Sequence, residues 1–268
     1  MTAPTAPAEK LLLLGADFAR HNDYLSRLRL DASSPATALT QQATSTQHLT
    51  RSALDIIDGL NAQPMFHSPE ISTVYARVRQ LAHLATDAAD HLLDAEDILD
   101  DTRAGVPVKG DGPLLTYRKA LQMGNSRLGL VRELTALGPQ DTLTAAELFV
   151  TERRRRGAIP SQQPPAFSPA QEAALRAVAR GEVTIFNGKP YLRRDDLRIT
   201  TSTLRSLEAR GLVAREDCPQ WLHDERVHLS ADGRRGLAAT FGRPPAPARL
   251  AARPAPVRAA NATPSRSL

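Results

Sequence analysis

An N-terminal antiparallel helical bundle followed by a small α+β unit is the fold class that three features of this 268-residue chain predict. Apolar residues recur at three-and-four spacing through most of residues 9–155, the mark of helices with one buried stripe. Aromatic residues make up only 4% while Leu and Ala dominate, which favours helices packed on helices over a sheet-rich enzyme. Strand and hairpin signals gather between residues 183 and 229. The length allows one or two domains and a real core.

Residues 1–8 are Pro, Thr and Ala rich and read as disordered. A first helix is expected over 9–30, with Leu11, Leu14, Phe18, Leu25 and Leu28 on one face. Ser34-Pro35 is a cap-plus-first-turn signal for a second helix over 36–62, ended by Gln63-Pro64. The third helix is the most regular: Ser68 caps it, Pro69 suits its first position, and it runs to about Asp101 before Gly105. Ile71, Val74, Val78, Leu81, Ala85, Ala88, Leu92, Ala95 and Leu99 form a heptad seam along it, coiled-coil-like in spacing. A fourth helix is expected over 114–137, using Leu114, Tyr117, Leu121, Leu128 and Val131. A shorter one, near 143–155, begins with Thr144 and Glu147 in capping-box spacing. Residues 9–152 thus read as a bundle of about five helices for dimerisation or interaction.

The charge is divided unevenly. Residues 1–151 carry 13 Lys/Arg against 18 Asp/Glu, a net −5, whereas residues 152–268 carry 21 against 11, a net +10. This asymmetry suggests an acidic module joined to one that faces nucleic acid. Residues 153–167 form a basic, Pro-rich linker, residues 168–241 a compact unit, and residues 242–268 a Pro/Ala/Arg-rich tail expected to be disordered. The single cysteine, Cys218, excludes an internal disulfide and a cysteine-rich metal site. The apolar run at residues 11–14 is too short for a membrane span or a signal core, so a cytoplasmic, membrane-free protein is expected.

Within residues 168–241, Ser168, Pro169 and Gln171 supply an N-cap, a first-turn proline and the third position of a capping box. Strands Val183–Phe186 and Tyr191–Arg193 flank Asn187-Gly188, the strongest short hairpin signal because both turn positions take positive φ. The next helix is capped by Thr200 or Thr201 and ends at Gly211; Leu204 and Leu207 face the core. Its other face shows Ser202, Thr203, Arg205, Ser206 and Arg210. Hydroxyls at a helix N-terminus bond phosphate, and Arg reaches guanine bidentately or anchors phosphate. Leu212–Arg215 and Arg226–Leu229 would pair as strands, with Trp221, Leu222 and His223 in the loop between them, and Ser230-Ala231-Asp232-Gly233 opens a last helix.

Leu207-Glu208-Ala209-Arg210-Gly211-Leu212-Val213, then Arg215, Asp217 and Pro219, then Val227-His228-Leu229-Ser230 ahead of Gly233, resemble the MarR-type winged helix-turn-helix regulators. The resemblance covers about 40 residues. It implies that the 201–210 helix reads a DNA groove and that the 216–226 wing lies against the backbone. Thr200, Thr201, Ser202, Thr203, Arg205, Ser206, Arg210, Arg215 and Arg226 are then the DNA-binding candidates. The sequence departs from the family in placing a hairpin at 183–193 where the first helix of the pair stands, and in setting Arg226 directly against the second wing strand.

No catalytic residue, cofactor site or metal site is expected. On the third helix His83, Asp87, Asp90, Asp94, Asp97 and Asp101 form a polar stripe offset from the apolar seam. It reads as a solvated face, as a dock for a basic surface such as Arg153–Arg156 or the tail, or as a metal site through His83, Asp87 and His91. Bundle metal sites draw inward ligands from several helices, and none is apparent here. His21 and His48 read as packing or surface histidines. Gly110-Asp111-Gly112 lacks the Lys-Ser/Thr of a phosphate loop. The expectation is a cytoplasmic, non-enzymatic protein that binds double-stranded DNA, a transcriptional regulator able to form a homodimer through its bundle. A protein-protein adaptor built from the same two parts is the alternative.

Overall fold

The computed structural model describes residues 6–31, 37–62, 67–107, 114–158, 166–192, 198–218 and 225–243. The chain is mainly helical, with a small four-stranded antiparallel sheet in its C-terminal part. Five helices build the N-terminal half: α1 (Pro7–Arg27), α2 (Thr37–Asn61), α3 (Pro69–Ala104), α4 (Tyr117–Ala136) and α5 (Gly138–Arg155). Only Leu137 separates α4 from α5, and together they line the length of α3, so the five helices make four antiparallel rods. The cross-helix bonds show the directions: Thr40 and Thr50 of α2 meet Glu96 and Thr86 of α3 in reverse order.

The seam on α3 is the spine of the bundle. All nine of its apolar residues are buried, Ser68 accepts the Ile71 N–H as the N-cap, and Gly105 at φ 68° closes the helix. Burial of such a continuous stripe is the main stabilising force, since a helix this long is marginal alone. The core divides into two clusters. One joins the C-terminal end of α1 and the N-terminal end of α2 to α3 and α4 through Leu25, Leu39, Leu92, Leu99 and Leu128, together with Leu30 beyond α1. The other runs from Leu11, Leu14, Phe18, Leu49, Val78 and Phe149 into the C-terminal part. Between them lies a polar layer in which His21 meets the Ser45 and Thr46 hydroxyls, each at 3.3 Å.

Three boundaries differ from expectation. The first helix stops at Arg27 rather than near residue 30 because Arg132 donates to the Leu25 and Leu28 carbonyls, at 2.9 and 2.6 Å. Asn125 then holds the extended Leu30 by both its N–H and its C=O. The fourth helix begins at Tyr117, leaving Leu114 65% exposed instead of in the core. No capping box forms at Thr144: α5 already starts at Gly138, with Pro139 in its first turn, and the Thr144 hydroxyl donates to the Gln140 carbonyl inside the helix. The Ser34-Pro35 signal, Gln63-Pro64, the 221–223 loop and the tail beyond Arg243 lie outside the described residues.

The C-terminal part runs α6 (Pro169–Ala179), β1 (Val183–Phe186), β2 (Lys189–Leu192), α7 (Thr201–Ala209), β3 (Val213–Asp217), β4 (Glu225–Leu229) and α8 (Ala231–Ala238). The capping box of α6 forms as its sequence requires. Asn187 and Gly188, at φ 49° and 70°, make the tight β1–β2 turn. The strand order is β2-β1-β4-β3, so the hairpin extends the β3–β4 pair through β1. One face of the sheet, with Ile185, Val227 and Leu229, packs on α6, α7 and α8. Its opposite face, with Thr184 and Arg226, turns toward α1.

Bundle and C-terminal part share one apolar cluster. Phe241 is sealed beneath the Arg176 guanidinium, and Arg176 also pairs with Glu147 of α5. Arg154 donates to the Ala239 carbonyl at 2.8 Å. The first residues of the expected linker therefore belong to α5 and anchor the end of α8.

Candidate functional site

α7 is placed by three local devices. The Thr200 hydroxyl accepts the Thr203 N–H, satisfying one free donor of the first turn. Leu204 and Leu207 are buried in the shared core. Gly211, at φ 67°, ends the helix and turns the chain into β3. Ser230 then bonds back to the Gly211 carbonyl at 2.5 Å while capping α8. The exposed side of α7 is therefore fixed relative to both β3 and α8.

The nine expected DNA-binding residues do not all reach that side. Thr200, Ser202 and Thr203 form a hydroxyl cluster at the helix N-terminus, with oxygen separations of 2.9 Å, and Thr201 stands half-buried beside them. Arg205 is exposed, and among the described residues its guanidinium has no hydrogen-bond or carboxylate partner. Ser206 faces α6 instead, accepting a bond from Gln171 at 3.0 Å. Arg210 folds back over the Phe167 ring, 4.8 Å from its centroid, toward the Ala166 carbonyl and Gln171.

The two strand arginines are committed further. Arg215 lies between Glu208, at 2.6 and 3.2 Å, and Glu225, at 2.9 Å; hydrogen bonds to these carboxylates hold its guanidinium still more firmly charged than usual. Arg226 is only 2% exposed. It pairs with Asp23 of α1 and donates to the Gly181 carbonyl at 2.9 Å. Placing Arg226 on a DNA backbone is corrected by this burial: the β4 side chain that faces away from the apolar core meets α1, not solvent.

One exposed cation just ahead of α7 escaped the sequence reading. Arg198 is exposed two residues before the cap and, like Arg205, has no partner among the described residues. Arg205 and Ser202, three residues apart within α7, share one helix face, whereas Arg198 lies in the segment that leads into the cap.

His21 is buried, and loss of hydration pushes its pKa down to about 4. His48 and His83 are exposed, while His91 meets Arg127 at 3.2 Å. Among the described residues no group of three or more His, Cys, Asp or Glu is placed to hold a metal ion. Burial pushes the Cys218 thiol up from its ordinary value, the opposite of an activated nucleophile. No described helix is long and apolar enough to cross a membrane. Comparison with family models, with curated proteins and with solved structures found no match to this chain.

Proposed function

We propose that this chain is a DNA-binding protein, a cytoplasmic transcriptional regulator whose C-terminal part works as a winged helix of the MarR type. In this reading α7 enters the major groove and β3–β4 is the wing. The observation that carries it is the exposed guanidinium of Arg205, left without a carboxylate among the described residues where Arg215 and Arg226 are paired. A cation kept free on a helix face is available to a guanine edge or a phosphate. Ser202 and the other hydroxyls of the first turn lie at the positive end of the helix dipole, and Arg198 is exposed two residues before the cap. Arg210, Arg215 and Arg226 then act by shaping this surface, not by touching DNA. A homodimer formed through the bundle would present two such faces to two half-sites.

The test is binding of duplex DNA at two salt concentrations by the full chain, by Arg205→Ala and by Arg210→Ala. Affinity that falls steeply with salt in the full chain, together with a loss of affinity at low salt at least tenfold greater in Arg205→Ala than in Arg210→Ala, supports the reading. Equal losses in both variants move the contact elsewhere.

A second reading, a protein-protein adaptor, is favoured by cations engaged inside the fold: Arg215 pairs with Glu208 and Glu225, and Arg226 ties the sheet to Asp23 of α1. Absence of any duplex binding at low salt would select it.

A further inference from the structure

We propose that the groove between α3 and α4 is the docking site of this chain's own C-terminal segment, residues 244–268. The two banks of the groove differ in chemistry. Arg127 of α4 fixes which sides of the two helices face each other, reaching His91 at 3.2 Å and Asp94 at 3.4 Å. On α3, Asp87 and Asp90 lie one turn before His91 and Asp94, and both are exposed. Met123 and Leu130 of α4, with Leu137 at its junction with α5, repeat every seven residues along the side that carries Arg127; they are 36%, 41% and 64% exposed. An acidic bank thus runs beside an apolar one.

Like charges one turn apart weaken a helix slightly, and large apolar side chains at this spacing normally mark a covered seam. One occupant relieves both: an extended segment whose arginine stems lie along the apolar bank while their heads reach the aspartates. Residues 244–268 fit that description. They carry Arg249, Arg253, Arg258 and Arg266, with Leu250 and Val257 among them, no Asp or Glu, and six prolines that disfavour a helix. The other basic run, Arg153–Arg156, is held at the far end of α3: Arg155 and Arg156 bond Glu152, Arg155 also reaches Glu70, and Arg154 bonds Ala239.

The reach is sufficient. Gly242 packs against Thr151 of α5. From there the α5–α4 rod leads back to Leu137 over about 20 Å and to Met123 over about 40 Å, at roughly 1.5 Å per residue. Twenty-five extended residues span up to about 80 Å. The inference does not depend on DNA binding.

The test is the initial rate of trypsin cleavage after Arg249 and Arg258 in the full chain, followed by intact mass. Neither of these arginines precedes a proline, so both bonds are open to the protease once the segment is free. The free peptide 244–268 serves as the reference at each salt concentration. A docked segment is cut about tenfold more slowly than the peptide at low ionic strength, and this protection disappears at high salt. Asp87→Asn/Asp90→Asn and, separately, Leu130→Ser remove most of the low-salt protection; all three positions are exposed, so these variants keep the fold. Cleavage at the peptide's rate at low salt overturns the proposal, as does protection unchanged in both variants. Protection that rises with protein concentration also overturns it, because the groove then takes the segment of a second copy.

Discussion

Asp23 and Arg226, 203 residues apart, form an ion pair that is closed off from solvent where α1 crosses the outer face of the sheet. Their side chains are 5% and 3% exposed, and the Arg226 guanidinium also bonds the Gly181 carbonyl. A glycine is needed at 181 for two reasons: φ is 69°, and a Cβ would collide with Ala19 of α1. The pair therefore locks the C-terminal part to the bundle and sets the orientation of everything built on β4.

Removing one partner leaves the other charge buried and alone. Asp23→Asn or Arg226→Met is expected to cost about 3–5 kcal/mol in urea unfolding. The apolar double variant Asp23→Leu/Arg226→Met should recover most of that loss. Single variants within about 1 kcal/mol of wild type would mean that the pair is solvated.

His21 makes stability depend on pH. Its folded pKa, pushed by burial to about 4, lies below the ordinary 6.5. The unfolded chain gains a proton near pH 6.5 that the folded chain refuses until about pH 4, so this contribution is complete above 6.5 and is lost as pH falls through that window. At about pH 5 the loss attributable to His21 is on the order of 2 kcal/mol. Urea midpoints at about pH 7.5 and about pH 5 should show a smaller drop in His21→Gln than in wild type. Identical drops would place the titration elsewhere.

Gly233 sits where α8 starts against the turn before β3. Ser230 donates its N–H to the Leu212 carbonyl at 3.1 Å, and a Cβ on residue 233 would overlap that same oxygen. Backbone cannot yield as a side chain can, so Gly233→Ala should destabilise by about 1–3 kcal/mol despite the better helix propensity of Ala. Gly129 of α4 has open space around it. Gly129→Ala, made as a control, should be neutral or stabilising by thermal melting.

On DNA, each cation that contacts phosphate contributes about 0.9 to the slope of log affinity against log salt. Arg198→Ala and Arg205→Ala should each lower the slope by up to about one, whereas Arg210→Ala should leave it unchanged. A slope insensitive to both would assign the phosphate contacts to other arginines.

The sequence alone determined the features that depend on a few adjacent residues. The α3 seam, the caps at Ser68 and Ser168, the Asn187-Gly188 turn and the stop at Gly211 all stand where their residue types place them. Each follows from helical period, from a hydroxyl three residues before a free N–H, or from a permitted positive φ, and none needs a distant partner. The composition of the α7 face was legible for the same reason.

Tertiary structure decided which groups remain available. Nothing near Arg226 in sequence announces Asp23, and nothing near Arg210 requires the Phe167 ring. The same holds for the pairing of β1 with β4 and for the near-continuity of α4 and α5. A charge is spent or free according to what the fold brings within about 4 Å of it, and that is set by long-range packing that local pattern does not encode.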